Sequence, residues 1–506
     1  MKTVIKKIKL LFGSLFKKIS INIILVIILS AAIRFIQLKK LLAFTPDEEY
    51  LIYLANTIIK NFHIIWIGVS SLGFGVYMGP FWIYIITPLL LIAKGDPLIL
   101  GYFACFFGIL TTYLLYWLGQ KMFNKKIGLI AALLYAASPL IVFYDQKSYP
   151  SAVPFLSLLL ALTIYLSKYS KKWWILFSIA YGMVFHIHLS LILIILVAFY
   201  WAWLHKKNLN PKVILLSILA FLLTVFPLIA FDYFHKGSNI TTPVRIIQSA
   251  KSSPFKINLK SRSIVFLNAL GRVMHLEAGR ESSDEILNPC IVDKLTTTSR
   301  PHWLFILPAV FCLLFFFFNK KTWKEENNKL IALLTLAFLI PFIFLPIINP
   351  VEYYLLGFFP FLFLIMAIFV ESLQKTIKYI VYFLLLIFVI SGIYTVAVAK
   401  GNFGMQTKQK LIDKVMNVIG KEPFELKELG ACHQYEGWRY LFSVYGRRPE
   451  RSSEDDNFSW LYLDEISKKP TKYSVIINET RTPLTSKLKY KYLLEEGGFT
   501  AFIIEK

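Results

Sequence analysis

Between residues 19 and 398 the chain repeats one pattern: an apolar run, a short loop with Lys, another apolar run. The runs are 19–38, 98–118, 127–143, 151–167, 173–187, 188–204, 213–231, 302–318, 329–347, 354–370 and 379–398. Inside hydrocarbon every backbone polar group needs a partner within the protein, which leaves α-helices as the form such runs can take. With 57% hydrophobic and 16% aromatic residues, the composition is that of a polytopic membrane protein rather than a soluble one. The basic N-terminus before the first run resembles a signal peptide. The run's length and the many that follow identify it instead as a retained span.

The formal charge of +25 points away from nucleic acid, because the Lys residues sit in short clusters between the apolar runs. Lys121/Lys125/Lys126, Lys168/Lys171/Lys172, Lys206/Lys207/Lys212, Lys320/Lys321/Lys324 and Lys375/Lys378 fall in alternate connections. The short connections 144–150 and 348–353 hold only Lys147. Cytoplasmic loops carry the excess of Lys and Arg, so the N-terminus is predicted inside and the C-terminal region outside a cell membrane. One stretch, Gly79 to Lys94, breaks this parity. It is short and holds Pro88, and it reads as an interfacial or re-entrant helix on the outer side. A twelfth true span there would put Lys121, Lys125 and Lys126 outside. Residues 173–204 keep the parity only as a hairpin that turns at His186-Ile187-His188.

Two larger segments are predicted outside. Residues 232–301 form a long loop; within it, Asn258 to Glu277 has helical apolar spacing and bases elsewhere, as an amphipathic helix lying on the membrane would. Residues 399–506 change composition and read as a small α/β domain, with helices near 405–419 and 435–446 and strands at 473–477 and 499–504. The domain division is therefore 1–398 and 399–506. Cys105 and Cys312 lie in apolar runs and read as inert. Cys290 and Cys432 lie on the predicted outer side, either bonded to each other or as two thiols.

The ionisable groups gather on that same side. Asp47, Glu48 and Glu49 follow the first run in Thr45-Pro46-Asp47-Glu48-Glu49-Tyr50. Asp145 and Lys147 follow the third run, His186 and His188 mark the hairpin, and Asp232 and His235 open the long loop. Glu352, Tyr353 and Tyr354 precede a later run. A carboxylate at a membrane rim is suited to act as a general base toward a lipid-borne substrate. Blander roles compete: Asp47 as a helix cap beside Pro46, Glu49 as a solvated face residue, Asp145 as a boundary marker, Arg34 reaching outward to water. Carboxylates and the His pair are also donors a divalent ion would use, but no compact spacing demands one, so the metal stays unknown.

An ordered series of short motifs resembles the GT-C superfamily of membrane glycosyltransferases, in the branch of protein O-mannosyltransferases and lipid A aminoarabinose transferases (family 39-type). Arg34 is followed by Asp47-Glu48-x-Tyr50, then Gly79-Pro80-Phe81-Trp82-x-Tyr84 and Gly95-Asp96-Pro97. Leu118 to Phe123, Ser138-Pro139-Leu140-x-x-Phe143-Tyr144, His186-x-His188, Phe231-Asp232-x-x-His235 and Glu352-Tyr353-Tyr354 complete it. The resemblance implies an all-α GT-C bundle of about 11 transmembrane helices plus juxtamembrane helices, with a small C-terminal α/β extracytoplasmic domain. It implies transfer of a hexosyl or pentosyl unit from a polyprenyl-phosphate donor to a hydroxyl of a glycan, lipid or protein acceptor in the cell envelope, with inversion. Asp47 then matches the catalytic base, Glu48 its neighbour, and Asp145 the second-loop acid by place. Arg34, Tyr50, Lys147, His186, His188, Asp232, His235, Arg245, Arg272, Tyr353 and Tyr354 become candidates for substrate binding. No cofactor is certain; a divalent metal ion is the one candidate. The membrane lipids surround it and nucleic acid is not a partner. A lipid or solute transporter is the competing reading, disfavoured because the runs are nearly free of charge. A receptor or assembly subunit leaves the Asp47 cluster unexplained.

Overall fold

The computed structural model describes residues 20–71, 76–148, 151–206, 210–252, 259–276, 302–344, 351–429, 437–467, 469–479 and 489–506. Among the described residues every predicted run is mainly helical. Leu98–Met122, Pro211–Phe234, Glu326–Phe344 and Lys375–Val398 are long and apolar enough to cross a membrane. Lys125–Ala137 and Pro139–Asp145 form a fifth candidate, bent by 70°. Shorter apolar helices fill the remaining runs: Ile21–Phe35, Ala152–Ser167, Lys172–Ile187, Leu189–Leu204, Trp303–Phe318 and Phe359–Ser372. Side chains such as Leu223 (77% exposed), Phe318 (82%) and Phe383 (62%) point away from the protein. In a bilayer those faces meet lipid, where no hydrophobic cost attaches to them.

One end of the bundle is built from Asn caps and Lys. Asn124 accepts from the amides of Lys126 and Ile127, Asn210 from Val213, and Asn319 from Lys321. Such caps satisfy amides that a helix start leaves without partners. Lys168 pairs with Glu326 at 3.3 Å, and His205 reaches the same carboxylate at 2.5 Å. The break at His188 lies at the other end of the helix Lys172–Ile187. The helix Lys172–Ile187 stops at His188, whose Nδ1 accepts from the Ser190 amide at 3.1 Å and starts the next turn.

Phe81–Ile92 is a helix of 12 residues. At 1.5 Å per residue it is about 18 Å long, short of the ~30 Å hydrocarbon core. The amphipathic stretch does fold as the helix Leu259–Met274, but it does not lie free on a surface. Ala269, Leu270 and Val273 are fully buried, and Arg262 donates to the Phe342 carbonyl at 2.9 Å. Its apolar stripe meets helix Trp303–Phe318 and the bend at Ser138, where Ser138 Oγ donates to the Val273 carbonyl at 2.7 Å. The loop before it also holds a helix, Ser238–Ser252. Cys290 and Cys432 lie outside the described residues.

The C-terminal segment folds as expected in kind. Helices Met405–Ile419 and Trp438–Tyr445 pack on a five-stranded mixed sheet. Phe424–Leu429 lies parallel to Arg451–Ser452 on one side and to Tyr473–Glu479 on the other. Phe499–Glu505 continues antiparallel to Tyr473–Glu479, with Tyr492–Glu496 at the edge. This domain sits on residues 38–61. Met405 N donates to the Leu42 carbonyl at 2.8 Å, and the buried Lys408 ammonium donates to the Phe44 carbonyl at 3.0 Å.

Candidate active site

The three acids after the first span open a helix, Pro46–Asn61. Its cap is Thr45, with Pro46 in the first turn, so Asp47 is not the capping residue. Glu48 closes a capping box: its carboxylate accepts from the Thr45 amide at 3.1 Å and from the Thr45 hydroxyl. Glu49 is not a solvated face residue. It is fully buried beneath the C-terminal domain, where its Oε1 accepts from the Tyr440 amide at 2.6 Å. Asp47 is therefore the acid left over. It is open to solvent and makes no hydrogen bond or ion pair among the described residues.

The cation beside it comes from the connection after the bent span. Four consecutive residues there each engage a different part of the protein. Tyr144 donates to Glu352 Oε1 at 3.1 Å. Asp145 receives the Arg34 guanidinium at 2.7 and 2.9 Å. Gln146 Nε2 donates to the carbonyls of Arg34 and Ile36. Lys147 faces Asp47 and Glu48, whose charges support its own. Burial nonetheless brings the Lys147 ammonium down to about 8. Desolvation holds the carboxyls of Asp47 and Glu48 above the usual range, with Lys147 partly offsetting it. A carboxylate that water reaches, and whose proton affinity the surrounding protein raises, is suited to act as a base.

Arg34 does not reach outward. It is fully buried, held by Asp145, Ser30 and the Ala136 carbonyl. Asp145, offered as a second catalytic acid, is spent on that pair, with Tyr135 donating to its other oxygen at 3.3 Å. The pair ties the first span to the bent one, and it sets Gln146 and Lys147 in place.

A second polar group adjoins through Tyr144. Arg272 lies 3.5 Å from Glu352, and its Nη2 is buried with no hydrogen bond among the described residues. His188 packs against the rings of Tyr353 and Tyr354 at 5.8 and 5.6 Å. Thus Arg272, His188, Tyr353 and Tyr354 come together around Glu352.

The other candidates are placed elsewhere. His186 uses both ring nitrogens on backbone, Nε2 with the Thr224 carbonyl at 2.9 Å and Nδ1 with the Phe81 amide at 3.3 Å. Tyr50 lies against Phe458 and Trp460 of the C-terminal domain. Asp232 accepts from the Asn239 amide at 3.0 Å and closes a helix–helix turn. His235 stacks on Phe231, and Arg245 is exposed. The sequence places Glu352 on the outer side without giving it a role and does not point to Gln146 or Lys408, for one reason. Each acts through a partner over 100 positions away, and no local spacing reveals that.

Among the described residues no three His, Cys, Asp or Glu side chains are gathered, and the group facing the Asp47–Glu48 pair is itself a cation.

A family model described as dolichyl-phosphate-mannose-protein mannosyltransferase matches residues 77–231, which include the connection that carries Lys147. The fold is similar to that of ArnT from Cupriavidus metallidurans bound to undecaprenyl phosphate, with 11% identity and a TM-score of 0.55. That likeness covers 95% of this chain and 97% of that one. The apo form of the same protein gives 10% identity and a TM-score of 0.58 over the same shares. The apo oligosaccharyltransferase of Archaeoglobus fulgidus gives 13% identity and a TM-score of 0.50, covering 90% of this chain and 69% of that one. At such identities the likeness is one of fold. No curated protein matches the chain by sequence.

Proposed function

We propose that this chain, which has the GT-C fold, is a membrane glycosyltransferase that takes a sugar from a polyprenyl-phosphate carrier and passes it to an acceptor hydroxyl. The observation that carries the assignment of the base is the division of labour among three adjacent acids. Glu48 is held by the cap, Glu49 is sealed under a domain, and Asp47 alone stays open beside a lysine.

In this reading Asp47 takes the proton of the acceptor hydroxyl as its oxygen attacks the anomeric carbon. The bond from that carbon to the phosphate oxygen breaks, and the phosphate departs on its lipid. Attack from the face opposite the phosphate inverts the anomeric carbon. The leaving group gains negative charge, so fixed cations should surround it. Lys147 and Arg272 meet that need, the first beside the base and the second with an uncommitted Nη2. Tyr353 and Tyr354 offer ring faces suited to a sugar or an isoprenoid. His235 and Arg245 have no part, since neither joins this group. The sugar is a hexose or pentose, and the acceptor a glycan, lipid or protein of the cell envelope.

The orientation follows from charge. The end that carries Asn caps and Lys is assigned to the cytoplasm, and the Asp47 end, with residues 399–506, to the outside. Substitution of the base tests the function directly. Asp47→Asn keeps size and shape, and transfer from a labelled lipid-linked sugar should fall by about 10²–10⁴-fold in membranes with normal protein levels. Turnover near that of the unaltered protein would refute the assignment.

A further inference from the structure

The C-terminal domain does more than cover the membrane bundle, because one of its contacts sets a carboxyl against a carboxyl. Helix Trp438–Tyr445 starts at Gly437, which is in a left-handed conformation (φ 90°) and has no side chain to cap the amides that follow. Glu49 supplies the missing acceptor from the acid helix, taking the Tyr440 amide. Glu454 takes the Gly437 amide at 3.0 Å through its Oε1. The two remaining oxygens, Glu49 Oε2 and Glu454 Oε2, are both buried and find no donor among the described residues. The two side chains are within hydrogen-bonding reach of each other.

Two ionised carboxylates at such a contact would repel, and each would strand an oxygen without a donor. A single proton between them removes both costs. We propose that Glu49 and Glu454 share one proton across the interface, and that this pair docks the C-terminal domain on the acid helix and so positions Asp47.

The groups that face the pair fit this arrangement. Lys408 comes from helix Met405–Ile419, Arg439 and Tyr440 from helix Trp438–Tyr445, Tyr462 from the turn beyond, and Tyr53 from the acid helix itself. Neither cation donates a hydrogen bond to the pair among the described residues. Lys408 is held by the Phe44 carbonyl and the Trp438 ring. Arg439 lies over the Tyr462 ring, 3.4 Å from Asp455. Burial first, and then the Glu454 carboxyl, push the Glu49 carboxyl well above its ordinary value.

The direction of the pH effect follows. Undocked, the pair holds no shared proton; docked, it keeps one. Docking therefore takes up a proton, is strongest at low pH, and weakens as pH rises above the ordinary carboxylate range. The docking equilibrium should fall by up to about tenfold per pH unit until the docked pair itself ionises.

Hydrogen exchange of the 438–445 amides, measured on the full chain in lipid nanodiscs without donor, reads this equilibrium. Protection in the unaltered protein should fall with rising pH after correction for intrinsic exchange. Glu454→Gln supplies an N–H donor that does not titrate, so its protection should stay level. A level profile in the unaltered protein, or the same slope in Glu454→Gln, would overturn the pair. The positioning role rests on the reading of Asp47 as the base and needs transfer as its readout. At alkaline pH, Glu454→Gln should retain several-fold more kcat than the unaltered chain, with little change in KM for donor. Equal kcat would remove that role. Exchange is read without catalysis, so if Asp47→Asn proved fully active, the base assignment would fall while the docking result stood.

Discussion

Lys147 faces both Asp47 and Glu48, and its ammonium titrates near 8. That sets a pH window for transfer. Asp47 must lose its proton, so activity should rise only above the usual carboxylate range, as its raised value requires. Activity should then fall as pH passes about 8, where Lys147 loses its charge. Lys147→Arg retains the charge and should carry the alkaline fall upward; an unchanged alkaline limb would show that another group governs it. Arg34 and Asp145 give a different kind of test. Both are buried, so Asp145→Leu leaves an unpaired guanidinium and should cost about 3–5 kcal/mol of stability. The double change Arg34→Met with Asp145→Leu should recover much of that in thermal unfolding in detergent. The acid run was legible in the sequence as a place where chemistry gathers. Which acid stays open was not, because the answer rests on Tyr440, 391 positions from Glu49.

Elements were more legible than side-chain roles, because hydrophobic runs and Lys loops are local signals. The boundaries of the helices Lys172–Ile187 and Leu189–Leu204 fall where charge parity demanded a turn. The helix Leu259–Met274 shows the limit: its apolar face was plain, but the sequence does not say whether lipid or protein meets it. Phe81–Ile92 is held at its start by a close approach. A Cβ on Gly79 would come within 2.1 Å of His186 Nδ1, whose ring is fixed at both nitrogens. Gly79→Ala should destabilise the protein by about 1–3 kcal/mol. Adding His186→Ala should relieve the clash, so that the double variant loses less than the sum of the two single changes in a thermal-shift comparison.

For the whole molecule, the two ends differ in kind: Lys and Asn caps at one, acids, histidines and a folded domain at the other. The proposed orientation makes position 47 reachable from outside. In a chain without Cys290 and Cys432, Asp47→Cys should react with a membrane-impermeant thiol reagent on intact cells. Lys171→Cys should react only after permeabilisation. The reverse pattern would invert the molecule and, with it, the side on which donor must be presented. The outward apolar faces of Pro211–Phe234 and Lys375–Val398 have a kinetic consequence. A carrier whose tail remains among the acyl chains approaches along two dimensions. Under the proposed function its effective supply is a mole fraction within the leaflet rather than a molarity, so adding inert lipid should slow transfer while the amount of carrier in the tube stays the same.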